Sequence, residues 1–139
     1  MDIVTDFKPK DENIQFILDE LNKFNESILG QIEIKKLGVF LKDDNGNIVG
    51  GVQPVCFAKW VYITHLWICE QYRGKGFGRK LLLESETKAK ELGCEISMLD
   101  TFSFQAPEFY EKYGYKMVAK IDDHPIEGVT KYYYKKQLV

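Results

Sequence analysis

The segment at residues 71–78, Gln-Tyr-Arg-Gly-Lys-Gly-Phe-Gly, constrains the fold of this chain more than any other, because three glycines fall within five residues. It follows a β-branched and aromatic run at residues 60–69, which predicts a buried central strand, and it precedes a helical pattern. Without Cβ atoms, successive N–H groups can point into one concavity, to which the helix adds the positive end of its dipole. The segment therefore predicts an anion site suited to phosphate, although such turns also occur only as tight connections.

Known nucleotide-binding and RNA-binding motifs do not fit these letters. The P-loop pattern is absent from the chain, and the third glycine of the dinucleotide fingerprint falls on Arg79. Residues 75–78, Lys-Gly-Phe-Gly, match the start of an RNA-recognition consensus, but its next aromatic position is again Arg79 and a helix pattern follows. An RNA-binding domain is an alternative that rests on these four residues alone.

The hydrophobic periodicity predicts a mixed α/β fold with the element order β-α-β-β-β-α-β-α-β-β. Strands are expected near residues 3–7, 37–42, 48–58, 60–69, 95–100, 115–121 and 129–136. Helices are expected from Asp11 to Gly30, from Gly78 to Gly93 and from Pro107 to Tyr113. Residues 43–46 give a hairpin turn signal, and Pro54 predicts an edge, a bulge or a break in the second arm. In the second helix, Glu86 and Lys90 form a favourable four-residue pair.

Length and composition predict one globular domain over residues 1–139. The chain is 45% hydrophobic and 29% charged, as ordinary globular proteins are. Its formal net charge of −2 provides no overall field that would recruit nucleic acid or an anionic membrane surface. The longest apolar run is about half the ~20 residues that a membrane-spanning helix needs. Nucleic acid and membrane are therefore not expected as partners.

The cysteines and the N-terminus predict a cytoplasmic protein without a metal. Cys56, Cys69 and Cys94 are widely spaced and form no Cys-x-x-Cys pair, which favours reduced thiols. The first residues lack the basic start and apolar block of a secretory signal. Residues 122–124, Asp-Asp-His, suggest metal ligands, but adjacent side chains cannot all point at one ion without an unusual backbone, so a solvated turn is expected there.

Two motifs resemble the signatures of the GNAT superfamily of N-acetyltransferases. Leu66-Trp67-Ile68 followed by Gln71-x-x-Gly74-x-Gly76-x-Gly78 is similar to the acetyl-coenzyme A motif of that superfamily. Residues 100–115, which contain Phe-Tyr-Glu-Lys and then a glycine, resemble its second signature. The resemblance covers residues 3–138, and it implies a GNAT-like acyl-CoA transferase fold: a mixed, mostly antiparallel central sheet flanked by helices.

The resemblance implies transfer of an acetyl group from acetyl-CoA to a primary amine, either of a small molecule or of a protein. Backbone amides at residues 73–78 would bind the pyrophosphate, and the strand at residues 66–68 would pair with the pantetheine arm. The implied cofactor-binding residues are Leu66, Trp67, Ile68, Gln71, Arg73, Gly74, Lys75, Gly76, Phe77 and Gly78. The Ile68 amide, or a neighbour, would polarise the thioester carbonyl. No metal is needed, and a homodimer is expected only because similar proteins often form one.

Tyr110 matches the family position of a general acid, whereas the sequence departs from the family pattern at the position of the base. A phenol is protonated at neutral pH and can donate to the departing thiolate; Tyr113 is the substitute, and an aromatic core stripe is the alternative for both. Many family members use a glutamate on the strand before the glycine turn, but residues 60–69 contain no carboxylate. His65, which alone titrates near neutrality there, is the candidate base. A structural histidine, a water relay and a catalytically silent acyl-CoA binding module stay open as alternatives.

Overall fold

A mixed seven-stranded sheet lies in the second of two compact units, Met1–Ile32 and Glu33–Val139. The computed structural model describes residues 1–139. The strands are β1 (Ile34–Lys36), β2 (Val39–Lys42), β3 (Ile48–Phe57), β4 (Trp60–Ile68), β5 (Ile96–Phe102), β6 (Lys116–Ile121) and β7 (Lys131–Gln137). The helices are α1 (Asp11–Leu29), α2 (Phe77–Glu91) and α3 (Glu108–Lys112). None of these helices combines the length and the apolar character that crossing a membrane requires.

The strand order is β1-β3-β4-β5-β7-β6, with β2 also pairing with β3. Only β4 and β5 run parallel, and every other neighbouring pair is antiparallel. The predicted mixed, mostly antiparallel sheet with flanking helices is therefore confirmed. The element order differs from the prediction, because the first strand follows α1 rather than preceding it.

The first unit contains α1, which begins and ends as predicted. Asp11 and Glu12 lie in its first turn, where acidic side chains favour the helix dipole. Gly30 ends the helix with φ 73°, and its N–H donates to Glu26 O at 2.9 Å. The strand predicted at residues 3–7 is wrong, since residues 1–10 contain no strand. No other strand pairs with this segment, and an unpaired strand leaves its backbone hydrogen-bonding groups unused.

The arm of the hairpin that contains Pro54 changes its partner at that residue. Strand β3 pairs with β2 up to Val52 and with β1 from Val55 onward. Pro54 has no N–H, but its carbonyl accepts from Leu37 N at 2.9 Å, between the two paired stretches. The predicted turn before β3 is present, with Gly46 at φ 82°. Strand β1 was not predicted, because its three residues are all exposed and show no alternation.

The parallel pair β4–β5 is short, and this shapes the rest of the molecule. The two strands pair only from Trp60–Ile96 to Tyr62–Met98. Beyond that point β4 stays with β3, while β5 stays with β7 as far as Phe102. The two strands diverge, and the gap between them opens toward their carboxyl ends.

Helix α2 packs on one face of the sheet through one side of the helix. Leu82, Ser85 and Ala89 are buried, and Leu82 belongs to the same core cluster as Val61 and Leu99 of the sheet. The helix begins at Phe77, one residue before the predicted start, and Gly93 follows its end at φ 91°.

A buried polar network joins α2 to the sheet. Glu86 accepts from Lys136 Nζ at 2.7 Å and from the Tyr115 hydroxyl at 3.0 Å. The Tyr115 hydroxyl also lies 2.7 Å from Ser97 Oγ. The predicted pairing of Glu86 with Lys90 is therefore wrong. The tertiary partner prevails because Glu86 is on the buried face of the helix, where a carboxylate needs a cation and hydrogen-bond donors.

Candidate active site

The gap between β4 and β5 forms a cleft of about 250 Å³. Its walls come from the two diverging strands and from the segment that leads into and through α3. The lining residues are Ile63, His65, Leu66, Asp100, Thr101, Phe102, Gln105 and Tyr110. Both predicted catalytic residues, Tyr110 and His65, are thus brought to one cleft, although 45 positions separate them in the sequence.

Tyr110 differs from its two tyrosine neighbours in having a hydroxyl without a protein partner. Its ring packs 6.0 Å from that of Tyr115 and 6.4 Å from that of Tyr134, centroid to centroid. The Tyr115 hydroxyl bonds to Glu86, and the Tyr134 hydroxyl donates to Glu111 at 2.9 Å. No buried side-chain oxygen or nitrogen lacks a partner, so the unpaired Tyr110 hydroxyl is accessible at the cleft. It is free to donate to a ligand.

The surroundings of Tyr110 keep its phenol protonated. Burial, and then the negative charge of Asp100, raise the pKa of Tyr110 to about 12. The group is therefore a hydrogen-bond donor at neutral pH. Tyr113 is not among the lining residues; its ring packs 5.1 Å from that of Phe109, with the Arg79 guanidinium 5.9 Å from the ring centroid.

His65 occupies a backbone bulge in β4. Its φ is 53°, a left-handed conformation that residues with a Cβ rarely adopt. The β3–β4 register shifts opposite this point, between Gly51 and Gln53. The shift moves the alternation of β4 by one residue, so His65 is exposed and faces away from the core. His65 also lines a second, mostly apolar cleft with Phe40 and Trp67.

The edge of β4 that faces the gap offers backbone groups to a ligand. The Cys69 N–H donates to Val49 O at 2.8 Å, toward β3. Because N–H directions alternate along a strand, the Ile68 N–H faces the opposite edge, toward the gap. The Ile68 carbonyl accepts from Arg73 Nε at 2.8 Å. Trp67 is exposed, and by the same alternation its backbone groups face β3, where it pairs with Gly51, rather than the gap.

The glycine turn adopts the conformation that its composition predicts. A single 3-10 turn, Glu70–Tyr72, contains the exposed Gln71. Gly74 and Gly76 then take left-handed conformations at φ 71° and 83°, and α2 begins directly after Gly76. The first N–H groups of a helix have no partner within it, so those that follow Gly76 are available to an anion. The Arg73 N–H is not available, because it donates to Glu70 O at 3.1 Å.

Basic side chains surround this helix N-terminus. The first turn of α2 has no acidic residue and contains Arg79 and Lys80. Cations at this end oppose the helix dipole, and a bound anion would offset that cost. Lys75 Nζ lies 5.6 Å above the Tyr72 ring, and Lys80 Nζ lies 5.5 Å above the Phe77 ring.

Gly78 permits close packing rather than a turn. A Cβ on Gly78 would lie 3.3 Å from Phe109 Cζ and 3.5 Å from Ile68 Cδ1. The start of α2 is thereby held against both α3 and β4. The glycine motif thus combines two left-handed glycines that form the turn with one that fits the helix against the cleft.

The structure adds Asp100 and Gln105 to the predicted site. Gln105 Oε1 accepts from Phe102 N at 3.0 Å, which fixes the bend after β5. Asp100 is the only carboxylate of the cleft lining. A lone acid in an otherwise uncharged strand is a weak sequence signal, and its place in the cleft follows only from the divergence of the two strands.

The family model for the acetyltransferase (GNAT) domain matches residues 35–117. The chain belongs to the GNAT acetyltransferase family. The match includes β4, the glycine turn, α2, β5 and α3, the elements that form the cleft and its anion site. The predicted family and enzyme class, an acetyl-CoA-dependent N-acetyltransferase, are therefore confirmed.

Individual GNAT relatives agree with this assignment. Blasticidin-S acetyltransferase from Streptomyces morookaense is 35% identical over 96 residues, which are 68% of this chain and 70% of that protein. An acetyltransferase structure from Bacillus cereus is 33% identical with a TM-score of 0.85, and the match covers 96% of this chain and 97% of that one. A crystal structure from Agrobacterium tumefaciens is 26% identical with a TM-score of 0.90 over 99% of both chains.

Proposed function

We propose that this GNAT acetyltransferase acetylates a primary amine of a small molecule, with Tyr110 as the acid that serves the departing thiolate. The observation that carries the proposal is the unpaired Tyr110 hydroxyl in a cleft beside the open edge of β4 and the start of α2. These three features supply a proton donor, a strand edge for the pantetheine arm and an anion site for the pyrophosphate.

Binding of acetyl-CoA rests on backbone groups. The amides from Gly74 into the first turn of α2 hold the pyrophosphate, with Arg79 and Lys80 adding positive charge. The edge of β4 at residues 66–68 pairs with the amides of the pantetheine arm. The Ile68 N–H then donates to the thioester oxygen and stabilises negative charge as it develops there.

The reaction is a direct attack by the amine nitrogen on the thioester carbon. The new C–N bond forms, the C–S bond breaks, and the bonding pair leaves on sulfur. The Tyr110 hydroxyl donates a hydrogen bond to this thiolate, and because its pKa is raised, this hydrogen bond is the larger part of its effect. The proton passes to sulfur as the thiol departs, and the phenolate takes up a proton from solvent. The nitrogen gives up its excess protons to His65 or to a water that His65 holds, and then to solvent.

The acceptor is the part of the proposal that comes from a relative. The name of the Streptomyces morookaense protein says that it acetylates blasticidin S, a small molecule. The cleft of about 250 Å³ is of a size for a small amine. A homodimer, a single domain over residues 1–139 and a cytoplasmic location stay predictions.

Substitution of Tyr110 by Phe tests the chemistry. Thiol release from acetyl-CoA is followed with a panel of small amines, and acetyl-CoA binding is followed by its shift of Tm. Tyr110→Phe should lower kcat by about 10²-fold, the lower end of general-acid effects, and keep the Tm shift. Tyr113→Phe is the matched control, because it removes a neighbouring phenol outside the cleft.

An unchanged kcat in Tyr110→Phe would remove this phenol from the mechanism. A Tm shift without thiol release for any amine would favour the silent acyl-CoA binding module. Absence of both would refute the proposed function altogether.

A further inference from the structure

Asp100 lies on the face of the sheet opposite to α2. The side chains of Ser97, Leu99 and Thr101 on β5 are buried, and Leu99 is in the core cluster that α2 helps to form. Since side chains alternate along a strand, Asp100 and Phe102 point to the other face. The anion site at the start of α2 is thus on one side of the sheet, and this carboxylate faces the other.

The Asp100 carboxylate has spare capacity to bind a cation. Its only polar contact is Lys131, whose Nζ lies 3.3 Å from Oδ1. The Asp100 side chain is 51% exposed, so water weakens this pair, and neither partner is fixed by a second ion pair. The Lys131 ammonium also lies 5.3 Å from the centroid of the Phe102 ring.

Asp100 is also the one anion that lines the cleft. The other lining groups are apolar or neutral, apart from His65, and the Tyr110 phenol is protonated at neutral pH. Asp100 and Tyr110 line the same cleft, and the charge of Asp100 contributes to the raised pKa of Tyr110. A cation that binds Asp100 therefore lies in the cleft that Tyr110 and His65 line.

We propose that Asp100 binds the acceptor as an ammonium ion and so selects alkylamines over arylamines. The inference rests on the proposed function and adds the acceptor class to it. Alkylamines, with a pKa near ~10, are cations at pH 7, whereas arylamines are neutral and gain no charge–charge attraction from a carboxylate. Lys131 acts as a competing internal cation that the incoming ammonium displaces.

The proposal gives the bound amine a defined order of events. The acceptor binds Asp100 as the ammonium and loses one proton to His65 or to water before the nitrogen attacks. The exposed His65 lines the same cleft and can hand that proton to solvent. Asp100 itself stays ionised throughout and stabilises the positive charge that returns to nitrogen when the C–N bond forms.

Benzylamine and aniline form a matched pair of probes, since they differ by one methylene and by charge at pH 7. Binding of each is measured by ligand-observed NMR on the acetyl-CoA-free protein, so the result does not depend on turnover. Asp100→Asn should weaken benzylamine binding about tenfold, the effect of about 1.4 kcal/mol for a charged hydrogen bond. Aniline binding should change by less than about twofold.

Two further variants make the test specific. Glu95→Gln is the control, because Glu95 is another part-exposed carboxylate paired with a lysine, Lys59, at 2.9 Å, but lies outside the cleft. It should leave benzylamine binding unchanged. Lys131→Gln removes the competing cation and should tighten benzylamine binding several-fold, and this gain should vanish in the Asp100→Asn background.

Equal benzylamine binding by the original protein and Asp100→Asn, or no benzylamine binding by either, overturns the proposal. So does an equal loss for benzylamine and aniline, which would mean that the substitution distorts the cleft. Failure of the proposed function is a separate result: benzylamine binds through Asp100, but no amine promotes thiol release from acetyl-CoA.

Discussion

Removing Lys136 should destabilise this protein more than removing the charge of its partner, Glu86. In Lys136→Met, a carboxylate that is only 7% exposed loses its cation. Breaking a buried ion pair in this way costs about 3–5 kcal/mol. The Tyr115 hydroxyl still donates to Glu86, and Lys136 itself is 21% exposed, so the lower end, about 3 kcal/mol, is expected.

Glu86→Gln should cost less, about 1 kcal/mol, the net worth of one hydrogen bond. The amide oxygen of the glutamine can still accept from Tyr115, which lies 3.0 Å from the carboxylate. The Lys136 ammonium is freed to reach water, because its side chain is already partly exposed. The larger loss of stability in Lys136→Met than in Glu86→Gln is what a buried carboxylate that depends on a half-buried lysine would produce.

Urea unfolding measures both effects. With a slope of about 2 kcal/mol per molar urea, the midpoint should fall by about 1.5 M in Lys136→Met and by about 0.5 M in Glu86→Gln. Lys59→Met is the control, because it breaks an exposed pair with Glu95 in which the lysine side chain is 68% exposed. Its midpoint should move by less than about 0.3 M. A Lys136→Met shift no larger than that of the control, or no larger than that of Glu86→Gln, would refute the reasoning.

Two more predictions follow from the glycine turn and from the buried tyrosines. Gly76→Ala places a residue with a Cβ at φ 83°, which should destabilise the fold by about 1–2 kcal/mol and also reduce the Tm shift produced by acetyl-CoA. Gly46→Ala, at φ 82° in the β2–β3 turn, is the control: it should lower Tm by a similar amount and leave the acetyl-CoA shift unchanged. Burial raises the pKa of Tyr110 from 10.0 to about 12, so its contribution to stability is fully present below pH 10 and is lost as the pH rises toward 12. At alkaline pH, the free energy of unfolding should therefore fall less steeply with rising pH in Tyr110→Phe than in the original protein. The same pH dependence in both proteins would contradict the raised pKa.

Features set by a few neighbouring residues were predictable from the sequence. Gly30, Gly93 and Gly114 follow the three helices at φ 73°, 91° and 91°, where a residue without Cβ is favoured. The turn at residues 43–46 and the left-handed glycines before α2 likewise follow from local backbone preferences. These predictions are confirmed because the conformations depend on neighbouring residues and need no distant partner.

Features that depend on distant partners were not predictable. The β-favouring residues at 3–7 find no strand to pair with, whereas the exposed Ile34–Lys36 becomes a strand because β3 offers its edge beyond Pro54. Glu86 pairs with Lys136, which is 50 positions away in the sequence, instead of with Lys90, one turn along the same helix. In each case the outcome is decided by which backbone or charge lies nearby in the folded chain.

The candidate site shows the same division. The anion site at the start of α2 was predictable, since its turn and its helix are adjacent in the sequence. The place of Asp100 in the cleft was not, because it requires β4 and β5 to separate after Tyr62. A bulge at His65 lies in the part of β4 that has separated from β5, and no local sequence pattern predicts the left-handed φ of His65.

The short pairing of β4 with β5 also has a mechanical consequence. Within the sheet, only three backbone pairs join the half formed by β1–β4 to the half formed by β5–β7, and α2 packs across both through the core. If a pantetheine arm pairs with β4 as proposed, it would fill part of this gap and add a contact between the two halves of the sheet. The same proposed edge would have to release coenzyme A in every cycle, so tighter pairing along residues 66–68 would be expected to slow product release.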